Sequence, residues 1–268
     1  MSIPIYQIDA FTDRLFGGNP AAVCPLERWL PDEVMQAIAA ENNLSETAFL
    51  VAAGGDFDLR WFTPTKEVDL CGHATLATAH LVLTRLDPAR QKVGFNTRSG
   101  RLEVARDGEM LVMDFPAYPP RPVDVPDGLV EALGSAPETV LCGNFLMAVF
   151  GNEDEIRALR PRFGVMIAYG LDEAIVTAPG EDCDFVSRFF APGFGIVEDP
   201  VTGSAHCALV PYWAERIGRK ELHARQVSER GGELWCRLAG DRVSIAGRAV
   251  TYLEGQIDVG SATGIDSR

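Results

Sequence analysis

The first candidate for acid–base chemistry is a glutamate at the start of a predicted strand. Glu46 lies in the stretch Asn43-Leu44-Ser45-Glu46-Thr47. The alternation of side chains along a strand places it on the same face as Leu44, Ala48 and Leu50. A carboxylate on an apolar face is desolvated, which suits a general acid or base near neutral pH. The alternative is a strand-end glutamate that points to solvent or caps a turn.

Two glycines each open a segment without Asp, Glu, Lys or Arg. Gly72 begins residues 72–84 and Gly203 begins residues 203–214. Such segments predict helices that are buried on nearly every side. The first amides of a helix lack internal partners, and the helix dipole adds partial positive charge there. Two such ends facing one another would bind a substrate carboxylate without Lys or Arg. Taken one at a time, each glycine is explained equally well as a residue that only permits tight packing.

Polar residues beside these glycines extend the candidate site. Ser204 offers a hydroxyl donor, and His73 offers an imidazole. Asp199, just before the second helix, can accept a hydrogen bond from a substrate amine or orient His73. It would equally serve as a turn residue. The acidic residues shortly before the first of these helices, Glu67 and Asp69, are predicted to be structural.

Cys71 stands immediately before the first helix, where a thiol pKa falls and reactivity rises. The alternative is a small buried apolar side chain. Cys71 with His73, or His206 with Cys207, lacks the spacing and the four ligands of a structural zinc site, so no metal is expected. No dinucleotide or Walker loop and no pyridoxal lysine stands out, so no cofactor is expected either.

The chain repeats its central motif. Arg60-Trp61-Phe62-Thr63-Pro64 returns as Arg188-Phe189-Phe190-Ala191-Pro192 after 128 residues (188 − 60). Gly72 matches Gly203 at a spacing of 131 residues (203 − 72). Residues 99–104 match residues 231–236 at a spacing of 132 residues (231 − 99). Three matches in the same order predict two copies of one unit. A duplicated unit usually places its matching loops across a pseudo-twofold cleft, where we expect the chemistry.

The predicted elements that position these residues follow one pattern in each copy. A strand over residues 3–10, a helix that starts at Pro31, and strands near residues 47–53 and 59–62 precede the first charge-free helix. Pro211 predicts a kink in the second charge-free helix or an early end to it. Asp107-Gly108 and Gly240-Asp241 are hairpin signals. The proline-rich residues 118–122 are the expected linker between domains 1–118 and 119–268, although C-terminal residues can return to the first domain.

Composition narrows the function classes. The chain has 268 residues, 24 of them Lys or Arg, and a net charge of −14, which argues against a nucleic-acid surface and favours a small-molecule ligand. Its six cysteines form no C-x-x-C pair, which predicts free thiols in a reducing cytoplasm. The sequence begins with no signal segment and contains no apolar run long enough to span a bilayer, so no membrane is expected.

Taken together, the motifs resemble the PhzF-like family, which is named for a phenazine-biosynthesis isomerase and is related in fold to diaminopimelate epimerase. The segments that carry the resemblance are Phe16-Gly17-Gly18-Asn19-Pro20-Ala21-Ala22-Val23, Asn43-Leu44-Ser45-Glu46-Thr47, Phe62-Thr63-Pro64, residues 67–75 and Glu198-Asp199-Pro200-Val201-Thr202-Gly203-Ser204-Ala205. The resemblance implies an α+β protein of two similar domains, each an antiparallel sheet rolled around a central helix, with the active site in the cleft between them. It also implies a cofactor-independent isomerase that forms a homodimer.

The resemblance further assigns roles to the candidate residues. Glu46 matches the family's acid/base glutamate, and the substrate-contacting positions fall on Gly72, His73, Asp199, Gly203 and Ser204. The epimerase relatives use two thiols on opposite faces of a carbon. Cys71 matches one thiol, but Thr202 stands at the place of the other. The sequence therefore predicts that a single carboxylate shifts a proton within a small carboxylate-bearing metabolite.

Two alternatives stay open at the level of sequence. One is a non-catalytic small-molecule-binding or interaction protein on the same fold. The other is an epimerase that uses Cys71 together with Glu46 or Asp199. The substrate, and any link to a phenazine pathway, lies beyond the sequence.

Overall fold

The computed structural model describes residues 1–260, and strands dominate it. The strands are β1 (Ser2–Ala10), β2 (Asn19–Leu26), β3 (Glu46–Ala53), β4 (Asp56–Phe62), β5 (Glu67–Val68), β6 (Lys92–Thr97), β7 (Gly100–Asp107), β8 (Met110–Pro116), β9 (Arg121–Pro122), β10 (Thr139–Cys142), β11 (Leu146–Val149), β12 (Ala174–Pro179), β13 (Phe185–Ala191), β14 (Ile196–Asp199), β15 (Glu221–Gln226), β16 (Gly232–Ala239), β17 (Arg242–Gly247) and β18 (Ala249–Asp258).

The α-helices are fewer and mostly short. They are α1 (Asp32–Asn42), α2 (Gly72–Leu81), α3 (Leu129–Leu133), α4 (Glu153–Ala158), α5 (Phe163–Ala168) and α6 (Gly203–Ile217). A π-helical turn, Val82–Leu86, extends α2, and a 3₁₀ turn covers Pro192–Phe194. No helix among residues 1–260 combines the length and the apolar character needed to cross a bilayer.

The chain forms two compact units. Unit 1 consists of Met1–Met113 together with the residues from Gly247 onward, and unit 2 consists of Asp114–Ala246. Unit 1 includes β18, which pairs antiparallel with β1 along its whole length. The proline-rich residues 118–122, predicted as a linker, lie inside unit 2, where β9 pairs with β10.

The two units share one sheet topology. In unit 1 the strand order is β18-β1-β2-β3-β4-β6-β7-β8, with parallel pairs at β2–β3 and β4–β6. In unit 2 the order is β9-β10-β11-β12-β13-β15-β16-β17, with parallel pairs at β11–β12 and β13–β15. All the other pairs in both units are antiparallel. The duplication that the sequence predicted is therefore present at the level of strand order and direction.

Each sheet separates two helical layers. In unit 1, Phe49 and Phe62 pack with the apolar face of α1, while α2 lies on the opposite side. All residues of α2 are buried except Gly72 and His80. Enclosing this helix removes no Asp, Glu, Lys or Arg side chain from water, because its sequence carries none of them. The prediction of a buried, charge-free helix within a sheet is confirmed.

Pro211 lies inside α6 and does not end it. The helix continues to Ile217 and stops at Gly218, whose left-handed conformation (φ 75°) suits glycine. Proline has no amide hydrogen, so the carbonyl of Cys207 one turn earlier loses its helical partner. That carbonyl accepts a hydrogen bond from the backbone amide of Tyr118 at 2.8 Å.

The repeated arginine motif is structural in both units. Arg60 binds Glu67 through two nitrogens at 2.7 Å each, and its guanidinium lies 5.2 Å from the ring centre of Phe62. Arg188 binds Glu198 in the same bidentate way at 2.7 and 2.9 Å. In each unit, two charged hydrogen bonds connect the arginine to the short strand that precedes the buried helix, β5 in unit 1 and β14 in unit 2. The structural role predicted for Glu67 agrees with this contact.

The Arg188–Glu198 ion pair is expected to contribute to stability because it is largely removed from solvent. The two side chains are 11% and 20% exposed, and Arg188 also donates to the carbonyl oxygens of Ile156 and Leu159 at 3.0 and 3.1 Å. Arg188→Met leaves these acceptors unpaired, so the free energy of unfolding in urea should fall by about 3 kcal/mol.

The matched control is Arg242→Met. Arg242 forms an equally close pair with Asp114, but the side chains are 43% and 59% exposed. Its loss should therefore lower the free energy of unfolding by less than about 1 kcal/mol. Equal losses in the two variants would contradict the role given to burial.

Candidate active site

Three ionisable side chains of unit 1 meet at the N-terminal end of α2. Glu46 is the first residue of β3, Cys71 precedes the helix, and His73 is the second residue of the helix. Glu46 Oε2 lies 3.0 Å from His73 Nε2, and Cys71 Sγ lies 3.5 Å from His73 Nδ1. The side chains of Glu46 and His73 are only 12% and 6% exposed. Alternation along β3 places Glu46 on the face of Ala48 and Leu50, toward α2 and out of open solvent, as the sequence predicted. Leu44, which was expected on the same face, packs with the α1 core instead.

Asn19 is a site residue that sequence reasoning missed. It is fully buried at the start of β2, and its side-chain amide lies 3.2 Å from His73 Nδ1. An amide can donate to a neutral imidazole, or accept from a protonated one through its oxygen. The only signal in the sequence was its place in the Gly-Gly-Asn-Pro turn, which does not reveal that β2 runs beside α2.

Burial and neighbouring charge set the protonation of this cluster. Burial by itself lowers the pKa of His73, but the neighbouring Cys71 sulfur and Glu46 carboxylate raise it, and the resulting pKa is well above the usual value. Burial, followed by the negative charge of Glu46, raises the pKa of the Cys71 thiol to about 11. The expectation that the helix end lowers the Cys71 pKa is therefore wrong, because burial and the Glu46 charge outweigh the effects of His73 and of the hydrogen bond from the Ala74 amide.

The backbone at the start of α2 leaves its first amides without helical partners. Thr75 is the first residue whose amide bonds within the helix, at 3.1 Å from the Cys71 carbonyl oxygen. The amides of Gly72 and His73 precede it and have no carbonyl partner within the helix, while the Ala74 amide donates to the Cys71 sulfur. Such an end favours an anion. That a substrate carboxylate binds there stays a prediction.

Unit 2 builds a comparable helix start with different side chains. Thr202 occupies the position of Cys71, and its hydroxyl donates to Asp199 Oδ2 at 2.5 Å. Asp199 is 9% exposed, Gly203 is buried, and Ser204 is exposed. The three predicted residues of this unit therefore lie together. That they meet Glu46 and His73 across a cleft stays a prediction.

Gln226 organises this second helix start and was also missed by sequence reasoning. Its oxygen accepts from the Thr202 amide at 2.8 Å, and its nitrogen donates to the Asp199 carbonyl at 2.7 Å. Gln226 is almost fully buried at the end of β15. Nothing in the local sequence marks it, since only the parallel pairing of β13 with β15 brings it beside the loop.

The same cluster in unit 1 is the one place among residues 1–260 where three potential metal ligands converge. One donor atom each from Glu46, Cys71 and His73 lies within 4.8 Å of the others. A cation there would have to displace the protons that His73 and Cys71 carry. The expectation of a metal-free site stays a prediction.

Comparisons with known proteins place the chain in a family. The profile of the phenazine biosynthesis-like protein family matches residues 8–255. This chain belongs to the phenazine biosynthesis-like family. A relative from Pseudomonas aeruginosa, named an uncharacterized isomerase, is 53% identical over 257 residues, which cover 96% of this chain and 99% of the relative.

Solved structures agree with this membership. The crystal structure of a PhzF-family phenazine biosynthesis protein from Enterococcus faecalis matches with a TM-score of 0.94 and 45% identity, over 96% of this chain and all of that one. A hydroxyproline epimerase from Agrobacterium vitis shares the fold at 12% identity, with a TM-score of 0.60, over 96% of this chain and 91% of that one. The diaminopimelate-epimerase-like fold is thereby confirmed. Within the phenazine biosynthesis-like family, relatives named isomerases support an isomerase or epimerase enzyme.

The raised pKa of His73 predicts a distinctive titration. In an NMR titration of the four imidazoles, His73 should stay protonated above pH 7. His206, whose pKa burial lowers to about 4, should stay neutral down to mildly acid pH. The imidazole resonance of His73 is identified by its absence from the spectrum of the His73→Gln variant.

The same shift has a defined effect on stability. The folded-state pKa of His73 lies above the unfolded value near 6.5. Protonation of His73 therefore adds to the free energy of unfolding in full below pH 6.5, and this addition is lost as the pH rises through the folded-state pKa. For His206 the sign is opposite, since stability is lost as the pH falls from about 6.5 to about 4. A His73 midpoint at or below 6.5 would contradict the prediction.

Proposed function

We propose that the chain is a cofactor-independent isomerase that shifts a proton within a small carboxylate-bearing metabolite, with Glu46 as the acid/base. The observation that carries this proposal is the 3.0 Å contact between Glu46 Oε2 and His73 Nε2 at the start of a buried helix. A carboxylate with little exposure to water is an effective base, because solvent does not compete for the substrate proton. Membership of a family with relatives named isomerases supports the same reaction class.

The first step needs a base and a stabilised product of deprotonation. Glu46 takes a proton from one carbon, and the electron pair spreads through the adjoining double bond toward the substrate carboxylate. The amides of Gly72 and His73 at the helix start, together with the protonated His73 side chain, would stabilise the developing negative charge. Glu46 returns the proton at the other end of the shifted double bond, so that atoms and charge balance without an added reagent.

The residues of unit 2 complete this proposal. The helix start at Gly203, with the Ser204 hydroxyl, would hold an anionic group of the substrate, and Asp199 would orient the substrate and assist the transfer. No metal and no nucleic acid takes part. The protein is proposed to act as a cytoplasmic homodimer, and a phenazine substrate is not implied by the site.

The role of Glu46 is tested by exchange of solvent deuterium into a panel of unsaturated 2-amino and 2-hydroxy acids. Glu46→Gln keeps the size of the side chain and removes the base, so exchange should slow by about 100-fold or more. The matched control is Glu41→Gln, at the exposed end of α1, which should leave the rate unchanged. Equal exchange by wild type and Glu46→Gln would exclude Glu46 as the proton carrier.

An epimerase that uses Cys71 is a second candidate, favoured by the 3.5 Å contact between Cys71 Sγ and His73 Nδ1. Inversion needs a proton donor on each face of a carbon, and Thr202 replaces the second thiol. The Cys71 pKa of about 11 also leaves almost no thiolate near neutral pH. A carboxylate-driven shift therefore fits these residues better.

Replacement of Cys71 distinguishes the two candidates. The background is Cys142→Ser, because Cys142 is the exposed cysteine in the described chain. In that background Cys71→Ser should retain exchange within about tenfold, and iodoacetamide should have little effect at pH 7.5. Loss of activity in Cys71→Ser, together with inactivation by alkylation that substrate prevents, would favour the epimerase.

A further inference from the structure

The sheet register adds a fourth element to the internal repeat, a glutamate in unit 2 at the place of Glu46. The residue after Glu46 pairs with Phe62, and the residue after Glu173 pairs with Phe190. These two phenylalanines are the matched members of the repeated motif. Glu173 therefore corresponds to Glu46, and a leucine lies two positions before each glutamate.

Within its own unit, Glu173 lies on the same face of the sheet as Glu46 does in unit 1. In β12, Ala174 and Val176 pack into the core formed with α3, α4 and α5. Thr177, on the opposite face, accepts a hydrogen bond from Trp213 of α6 at 3.0 Å. Alternation continued by one residue before the strand places the Glu173 side chain on this α6 face. Both glutamates thus point to the side of the charge-free helix of their unit.

The two glutamates differ in what stands beside them. Glu46 has the His73 imidazole at 3.0 Å, whereas the corresponding position at α6 is the short, exposed Ser204. Within residues 1–260, no basic side chain forms an ion pair with Glu173. Burial, followed by the negative charge of Asp172, raises the pKa of Glu173. A half-buried carboxyl group in such surroundings gains strongly from a cation that approaches it.

We propose that Glu173 binds an ammonium group of the substrate, at the place that the His73 imidazole takes beside Glu46. The substrate class is then a small amino acid, whose carboxylate binds to a helix start and whose ammonium group pairs with Glu173. This inference rests on the proposed function, because it adds a contact to the same substrate. Glu173 acts in binding and specificity, while Glu46 carries the proton.

Two probes of the same skeleton test the inference, namely 2-amino-3-butenoate and 2-hydroxy-3-butenoate. Binding of each to the full chain is measured by NMR titration. Wild type should bind the amino probe more tightly. Glu173→Gln should weaken binding of the amino probe by about 10- to 100-fold, the range for a lost charged hydrogen bond, and change binding of the hydroxy probe by less than about threefold.

Three further variants make the result specific. Asp172→Asn removes the adjacent exposed charge and should change the preference for the amino probe by less than about twofold. Glu173→Asp keeps the charge and should retain that preference, even if Glu173→Gln folds poorly. Glu46→Gln should abolish exchange but keep the preference, so failure of the proposed function is distinguishable from failure of this contact. Equal effects on both probes, no effect on either, or binding of neither would overturn the inference.

Discussion

The constraint on which the rest of this structure depends is the burial, inside each sheet, of a helical segment without Asp, Glu, Lys or Arg, namely residues 72–81 in α2 and residues 203–214 in α6. A helix enclosed on its sides can present polar groups only at its ends. The first amides of α2 and α6 are therefore the backbone N–H groups that lack a carbonyl partner within these helices. Every side chain of the candidate site, from Glu46 and His73 to Asp199 and Thr202, is positioned relative to one of these two helix starts.

Duplication supplies two such helix starts, and divergence has made them chemically different. The bidentate pairs Arg60–Glu67 and Arg188–Glu198 are retained in both units, because they hold the strand that leads into the helix. The positions at the helix start have changed, from a thiol and an imidazole to Thr202 and Ser204. Retained scaffolding with altered reactive groups fits the one-sided proton shift proposed above, since inversion would need a donor in both copies.

Burial and neighbouring side chains set the electrostatics of the site. The Cys71 thiol stands where a dipole should favour the thiolate, but burial and Glu46 keep it protonated. The protonated His73 balances the Glu46 carboxylate, and Asn19 holds the other side of the ring. A strongly acidic chain thereby places a positive group at the start of α2 without using Lys or Arg.

The sequence by itself determined the duplication, the start of α1 after Pro31, the two charge-free helices, the hairpins at Gly108 and Gly240, and the face of β3 that carries Glu46. These features depend on local periodicity and local turn chemistry, which neighbouring residues specify. Only the tertiary structure decided the contact of Asn19 with His73, the bridge made by Gln226, the raised Cys71 pKa and the equivalence of Glu173 with Glu46. Each depends on strand pairing or burial between residues far apart in the chain, and loops of different length hide that pairing from the sequence.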